Sequence, residues 1–119
     1  MYCGMTHETC PNFFMIGGPG IALGHNSAFF IGETQVNYIK DAIDIMLTEN
    51  LKYVCVKETV HKKFQAWVKN TIKDKVYFSD SCMSWYKNSR GINWTFWPTN
   101  VISYWWKTRR FDIENYHSK

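Results

Sequence analysis

Residues 11–27, PNFFMIGGPGIALGHNS, constrain this chain more than any other stretch. Phe13, Phe14, Met15 and Ile16 form an unbroken apolar run, which predicts a strand covered on both faces, as in a parallel sheet. The run passes into a loop holding Gly17, Gly18, Pro19, Gly20 and Gly24, and the loop opens onto a long amphipathic pattern. Glycines at such a place let the backbone turn tightly and let another group approach its N–H donors. A helix N-terminus behind the loop adds unpaired donors and the positive end of a dipole. The combination suits an anion or an electron-rich ring edge.

The loop is not a self-contained dinucleotide fingerprint. Leu23 fills the third small position, and Pro19 removes a donor where a pyrophosphate would need one. No second strand ends in an acid about twenty residues further on, as that fingerprint requires.

A buried central strand needs neighbours, and 119 residues supply few candidates for them. With 45% apolar and 18% aromatic residues the chain can pack a core, so disorder is excluded. Six Trp and eight Phe in so short a chain call for a larger interior or a partner surface. Both features predict one domain, or a piece of one.

Charge is unevenly spread. Residues 1–56 hold two basic and five acidic groups, whereas residues 57–119 hold twelve basic and five acidic. A basic half can attract nucleic acid or a phosphorylated ligand, although a solvated helix face is the simpler account. Cys3, Cys10, Cys55 and Cys82 form no CxxC and no cluster at metal spacing, and read as free thiols of a reducing compartment. Neither a signal-peptide pattern nor an apolar run of membrane-spanning length is present, which predicts a cytoplasmic protein with no membrane segment.

Residues 1–10 lack periodicity and read as a loop. Asn26 or Ser27 can cap a long helix whose buried stripe would be Phe29, Gly32, Val36, Ile39, Ile43 and Met46. Gly32 weakens that helix and so predicts close packing. Asn50 reads as its stop, and residues 53–56 as a short extended segment. A second helix follows, capped by Thr59, with Val60, Phe64, Trp67 and Val68 inward and Lys62, Lys63, Lys69 and Lys73 in water. Residues 76–78 and 93–97 read as short strands flanking a turn-rich loop that contains Trp85. Asn100 can cap a last helix running through Trp105 and Trp106.

Few residues point to chemistry. His25, Asn26 and Ser27 could touch a ligand at the helix start, or serve only as loop and cap. His7, His61 and His117 are scattered, predicting no metal site, and no Ser/His/Asp or Cys/His set can be assembled, so no residue is assigned a catalytic role. Trp85 could stack on a ligand or simply pack. The Lys107-Thr108-Arg109-Arg110 run could bind phosphate, or suit a helix end as a surface patch.

In order, YCGMT, PNFFMIGGPG and GHNS resemble the C-terminal part of the flavin-dependent class B monooxygenases, the Baeyer–Villiger monooxygenases and the related flavin-containing monooxygenases. SCMSWY, then RG, FWP and YWWKTRRFD, are similar to the tail of the Baeyer–Villiger type. The resemblance implies an α/β piece of a flavoprotein with two Rossmann-like dinucleotide-binding domains. Residues 1–50 would supply the last strand and helix of the FAD-binding domain. Residues 51–119 would form a C-terminal extension, a second helix with a small irregular β/helix part, including a cofactor-covering loop around 79–91. It further implies FAD beside Gly18, Pro19, Gly20, His25, Asn26 and Ser27, with NADP(H) under Trp85. The full-length enzyme would use O2 to place one oxygen atom in a ketone, or on a soft nitrogen or sulfur of a small organic substrate.

Both GxGxxG fingerprints of the family are missing here, which predicts a C-terminal fragment inactive alone. The competing expectations are a small basic, aromatic-rich nucleic-acid-binding module, or a non-catalytic interaction fragment.

Overall fold

A computed structural model describes residues 1–24, 26–73, 75, 85–92 and 94–119. Three helices dominate: α1 (Ala28–Thr48), α2 (Glu58–Ile72) and α3 (Val101–Thr108). Strands β1 (Val54–Val56) and β2 (Tyr116–Ser118) pair antiparallel, with Cys55 opposite His117. The architecture is thus a small α/β domain. The extended segment expected at 53–56 is β1, and its partner lies near the far end of the chain.

Residues 13–16 are not a buried strand. Phe13, Met15 and Ile16 are all exposed, Ile16 at 57%. A central strand needs a ladder on each side. Here Asn12 N–H donates to the Val54 carbonyl and Met15 N–H to that of Met5, both at 2.9 Å, and no ladder grows from these bonds. Of the strand expected at 93–97, the described residues 94–97 contribute an isolated parallel bridge between Phe96 and Ala22. The expected strand at 76–78 lies outside the described residues, as does Cys82.

Residues 1–10, expected as a loop, instead build much of the core. Tyr2, Cys3, Met5 and Thr6 are buried. Cys3 and Gly4 turn the backbone with φ of 48° and 68°, and Met5 N–H returns to the Tyr2 carbonyl at 3.0 Å. Such conformations are inexpensive for glycine, which explains Gly4. Short apolar segments of this kind show no period because turns set them, not a strand or helix.

Helix α1 starts after Ser27, whose side chain makes no capping bond. It ends in a Schellman arrangement, as Asn50 predicts: Asn50 has φ of 53°, its N–H reaches the Leu47 carbonyl, and Leu51 N–H reaches that of Met46 at 2.8 Å. The buried face differs from the expected one. Ile31, Thr34, Gln35, Tyr38 and Ala42 face the core, while Phe29, Val36 and Ile43 are exposed at 86%, 49% and 47%. The inner polar residues have partners: Thr34 donates to the Phe30 carbonyl at 2.9 Å, and Gln35 Oε1 accepts from Gly17 N–H at 2.9 Å. A residue's advance turns a helix by 100°, so an apolar stripe one position away looks outward. No described atom approaches a Cβ built at Gly32, so the close packing it predicts is not made among the described residues.

Helix α2 begins after Lys57 rather than Thr59, and buries His61, Phe64 and Ile72; its lysines are exposed as expected. Helix α3 is capped as the sequence predicts, by Asn100 Oδ1 accepting from Ser103 N–H at 2.9 Å. Trp97, 1% exposed, centres the core. Its ring lies 5.3 Å from Trp67 and 4.9 Å from Tyr104, and its Nε1 donates to Thr99 Oγ1 and Ser103 Oγ. Three segments meet through hydroxyls: Tyr116 bonds Tyr38 at 2.9 Å and Thr6 at 3.2 Å.

Candidate cofactor site

The glycine loop is anchored from behind. Gly18 is buried, and a Cβ there would run into the Gly4 carbonyl, so close backbone packing alone requires glycine. Gln35 holds Gly17, and Ala22 is stitched to residues 95–97 through Ala22 N–H to Thr95 O at 2.9 Å and Trp97 N–H to Ala22 O at 3.1 Å. Beyond that anchor the loop faces open space. Gly20, at φ of 83°, meets no atom where its Cβ would stand.

Pro19 and Gly20 line a cavity of about 910 Å³ together with residues of α2 and with Lys87, Arg90, Gly91, Ile92 and Trp94. That volume lies in the ~300–1,000 Å³ range of ligand sites. Phe64, Val68 and Ile72 give it an apolar floor, and Ile92 and Trp94 an apolar wall. Lys69, Lys73, Lys87 and Arg90 ring it with cations. An apolar floor beneath four cations suits a ligand that joins an aromatic ring to phosphate. Arg offers a planar donor fork there, and the Lys side chains offer point charges.

The expected site residues are only partly brought together. Pro19 and Gly20 line the cavity, Gly18 lies behind it, and His25 is outside the described residues. Asn26 donates its N–H to the Leu23 carbonyl at 3.2 Å, while its side-chain Nδ2 is buried without a hydrogen-bond partner. Ser27 stands exposed at the start of α1. Trp85 is 66% exposed, stacks on Tyr86 at 4.5 Å, and accepts through its carbonyl from Trp94 Nε1 at 3.1 Å. It thereby braces a cavity residue without lining the cavity itself. The part of the 79–91 loop from 79 to 84 lies outside the described residues.

Sequence reasoning read Lys69 and Lys73 only as a wet face. The missed signal is their i, i+4 spacing at the end of α2, which places both on one side of the helix. The Lys107–Arg110 run is occupied otherwise: Lys107 Nζ sits 5.9 Å from the centre of Phe64, and Arg109 stacks on Trp106 at 3.8 Å. Cys3, Cys10 and Cys55 are free, and burial pushes the Cys3 thiol up to about 12 and raises that of Cys55.

The chain is 33% identical over 117 residues to a Baeyer–Villiger monooxygenase of Pseudomonas aeruginosa, covering 98% of this chain and 22% of that protein. It is 31% identical over 107 residues to the FAD-binding monooxygenase ktnD of Aspergillus niger, covering 87% of this chain and 18% of the relative. The chain belongs to the Baeyer–Villiger and FAD-binding monooxygenases. A Baeyer–Villiger monooxygenase of Streptomyces coelicolor agrees, at 28% identity over 95% of this chain and 22% of its own length. The chain spans about a fifth of the length of the curated relatives it matches. No family model matches it, and no solved structure does. Among the described residues no helix is long and apolar enough to cross a membrane.

Proposed function

We propose that this chain forms one wall of the cofactor site in an FAD- and NADPH-dependent monooxygenase, which uses O2 to insert one oxygen atom into a ketone or to add it to a soft nitrogen or sulfur. The observation that carries the reading is the cavity that sets Pro19 and Gly20 opposite Lys69, Lys73, Lys87 and Arg90. It occurs in a chain whose relatives are named FAD-binding monooxygenases. Glycine-loop backbone and the start of α1, whose first turn carries no acid, would serve the flavin. The cationic rim would serve the phosphates of the nicotinamide cofactor.

The outer face of α1 fits the same reading. Phe29, Val36 and Ile43 share it with Ile16, and a hollow of about 240 Å³ lies among Ile16, Val36, Ile39 and Ile43. We assign this face to contact with the remainder of an FAD-binding domain, to which residues 1–50 would belong. Residues 51–119 would then be the extension that covers the cofactors. By itself the chain would not turn over substrate.

The test is a chimera in which this chain replaces the matching fifth of the Pseudomonas aeruginosa relative. The expected product retains flavin through purification and consumes O2 with NADPH, and Arg90→Ala in it raises the KM for NADPH. A folded chimera that binds no flavin overturns the reading.

A further inference from the structure

Away from the cationic rim, three side chains with metal-binding atoms converge. His7 and Glu8 come from the N-terminal turns and His61 from α2. One donor atom of each lies within 4.8 Å of the others. His61 Nδ1 is in contact with Glu8 Oε2, and His7 Nε2 stands 3.7 Å from the same oxygen. Ligand atoms around a tetrahedral ion at ~2.0–2.1 Å stand roughly 3.3 Å apart, so a small closing movement completes the set.

The rest of the cluster is prepared for an ion. Glu8 Oε2 is buried, yet no well-directed hydrogen bond reaches it. The other nitrogen of each imidazole already has a partner: Gln65 stands 2.9 Å from His61 Nε2, and Thr9 Oγ1 stands 2.9 Å from His7 Nδ1. Partners of this kind hold a ring in place at metal sites, and here each ring must shift its proton on binding, because Thr9 N–H donates to His7 Nδ1 and the Gln65 amide nitrogen faces His61 Nε2.

We propose that His7 Nε2, the Glu8 carboxylate and His61 Nδ1 bind one divalent ion of the Zn2+ class, with the fourth position left to water. Two imidazoles and a carboxylate suit such a borderline ion better than Mg2+ or Ca2+. On binding, His61 carries its proton on Nε2 and donates it to the Gln65 amide oxygen, once that amide has turned over. His7 moves its proton to Nδ1, where donation to Thr9 Oγ1 replaces the bond that Nδ1 now accepts from Thr9 N–H. The ion clasps the N-terminal turns to α2. Those turns include Gly4, which backs Gly18, and Gln65 lines the cavity, so the clasp stiffens two walls of the cofactor site. The proposal stands whether or not flavin binds.

Zn2+ titrated into the chelator-treated 119-residue chain is expected to bind at one equivalent and raise Tm. His7 is half-exposed, so His7→Ala leaves the buried pair intact and tests the site without emptying the core. It should weaken Zn2+ by more than the ~10–100-fold that loss of an outer partner costs, and Gln65→Leu by about that amount. Co2+ should give d–d bands without a thiolate charge-transfer band, and Cys10→Ser should leave both metals bound. Absence of binding in the wild-type chain, unchanged binding in His7→Ala, or loss of binding in Cys10→Ser each overturns the site.

Discussion

The two faces of α1 use opposite chemistry from what position alone would suggest. The inner face, against α3 and the N-terminal turns, buries Thr34, Gln35 and Tyr38, whose hydroxyls and, for Gln35, amide oxygen are hydrogen-bonded. The outer face presents Phe29, Val36, Ile43 and Leu47 to water. A helix exposed on one side normally shows the reverse pattern. The contrast teaches that α1 is built to lie between two layers, one holding it by specific hydrogen bonds and the other by apolar contact. Only the first layer is supplied by these residues.

The largest effect is expected on the inner side. Trp97→Ala removes the ring on which Phe64, Trp67 and Tyr104 pack and should cost about 3–5 kcal/mol, read by denaturant unfolding. A loss below 1 kcal/mol would mean that the inner side is no tighter than the outer. Gly18→Ala forces a methyl onto the Gly4 carbonyl and should cost about 1–3 kcal/mol. Unchanged stability there would show that the loop is not anchored from behind.

Acid sharpens the same comparison. The folded state depresses the His61 imidazole to about 4 from its ordinary 6.5, so the unfolded chain binds the proton more readily between those values. Stability from this group is complete above pH 6.5 and is lost as pH falls towards 4. Melting curves across that window should show a decline that His61→Gln flattens; a decline that persists in the variant belongs to other groups.

The smallest effect is expected outside. Val36→Lys with Ile43→Lys should change the stability of the chain itself by no more than ~0.5 kcal/mol per site while reducing self-association, followed by light scattering. The same pair should prevent flavin retention in the chimera. If the double variant unfolds the chain, the outer face is part of its own core and the contrast between faces collapses.

Elements set by local chemistry were legible in the sequence. Asn100 caps α3 and Asn50 closes α1 because each position needs a particular short polar side chain or a left-handed backbone. The direction in which α1 faces was not legible. Apolar periodicity marks every face that will be covered, and the stripe at Phe29, Val36 and Ile43 is stronger than the one the chain itself uses. Nor could residues 13–16 reveal their pairing, since an apolar run specifies burial without naming a partner. Of the cavity, Pro19 and Gly20 were readable from the loop, whereas Lys69, Lys73 and Arg90 become neighbours only once α2 folds back across it. His7, Glu8 and His61 are likewise joined by tertiary packing alone.

The hydroxyl junction of Thr6, Tyr38 and Tyr116 gives the molecule a built-in alkaline alarm. Burial raises the Tyr38 phenol well above its ordinary 10 and pushes that of Tyr116 up to about 12, so the folded chain keeps protons that the unfolded chain would surrender. Stability from these groups is intact below pH 10 and drains away as pH climbs through 12. The first phenolate to form there would pull on the N-terminal turns, α1 and β2 at once. Tyrosinate absorbance should therefore rise as an abrupt step that coincides with loss of the fold.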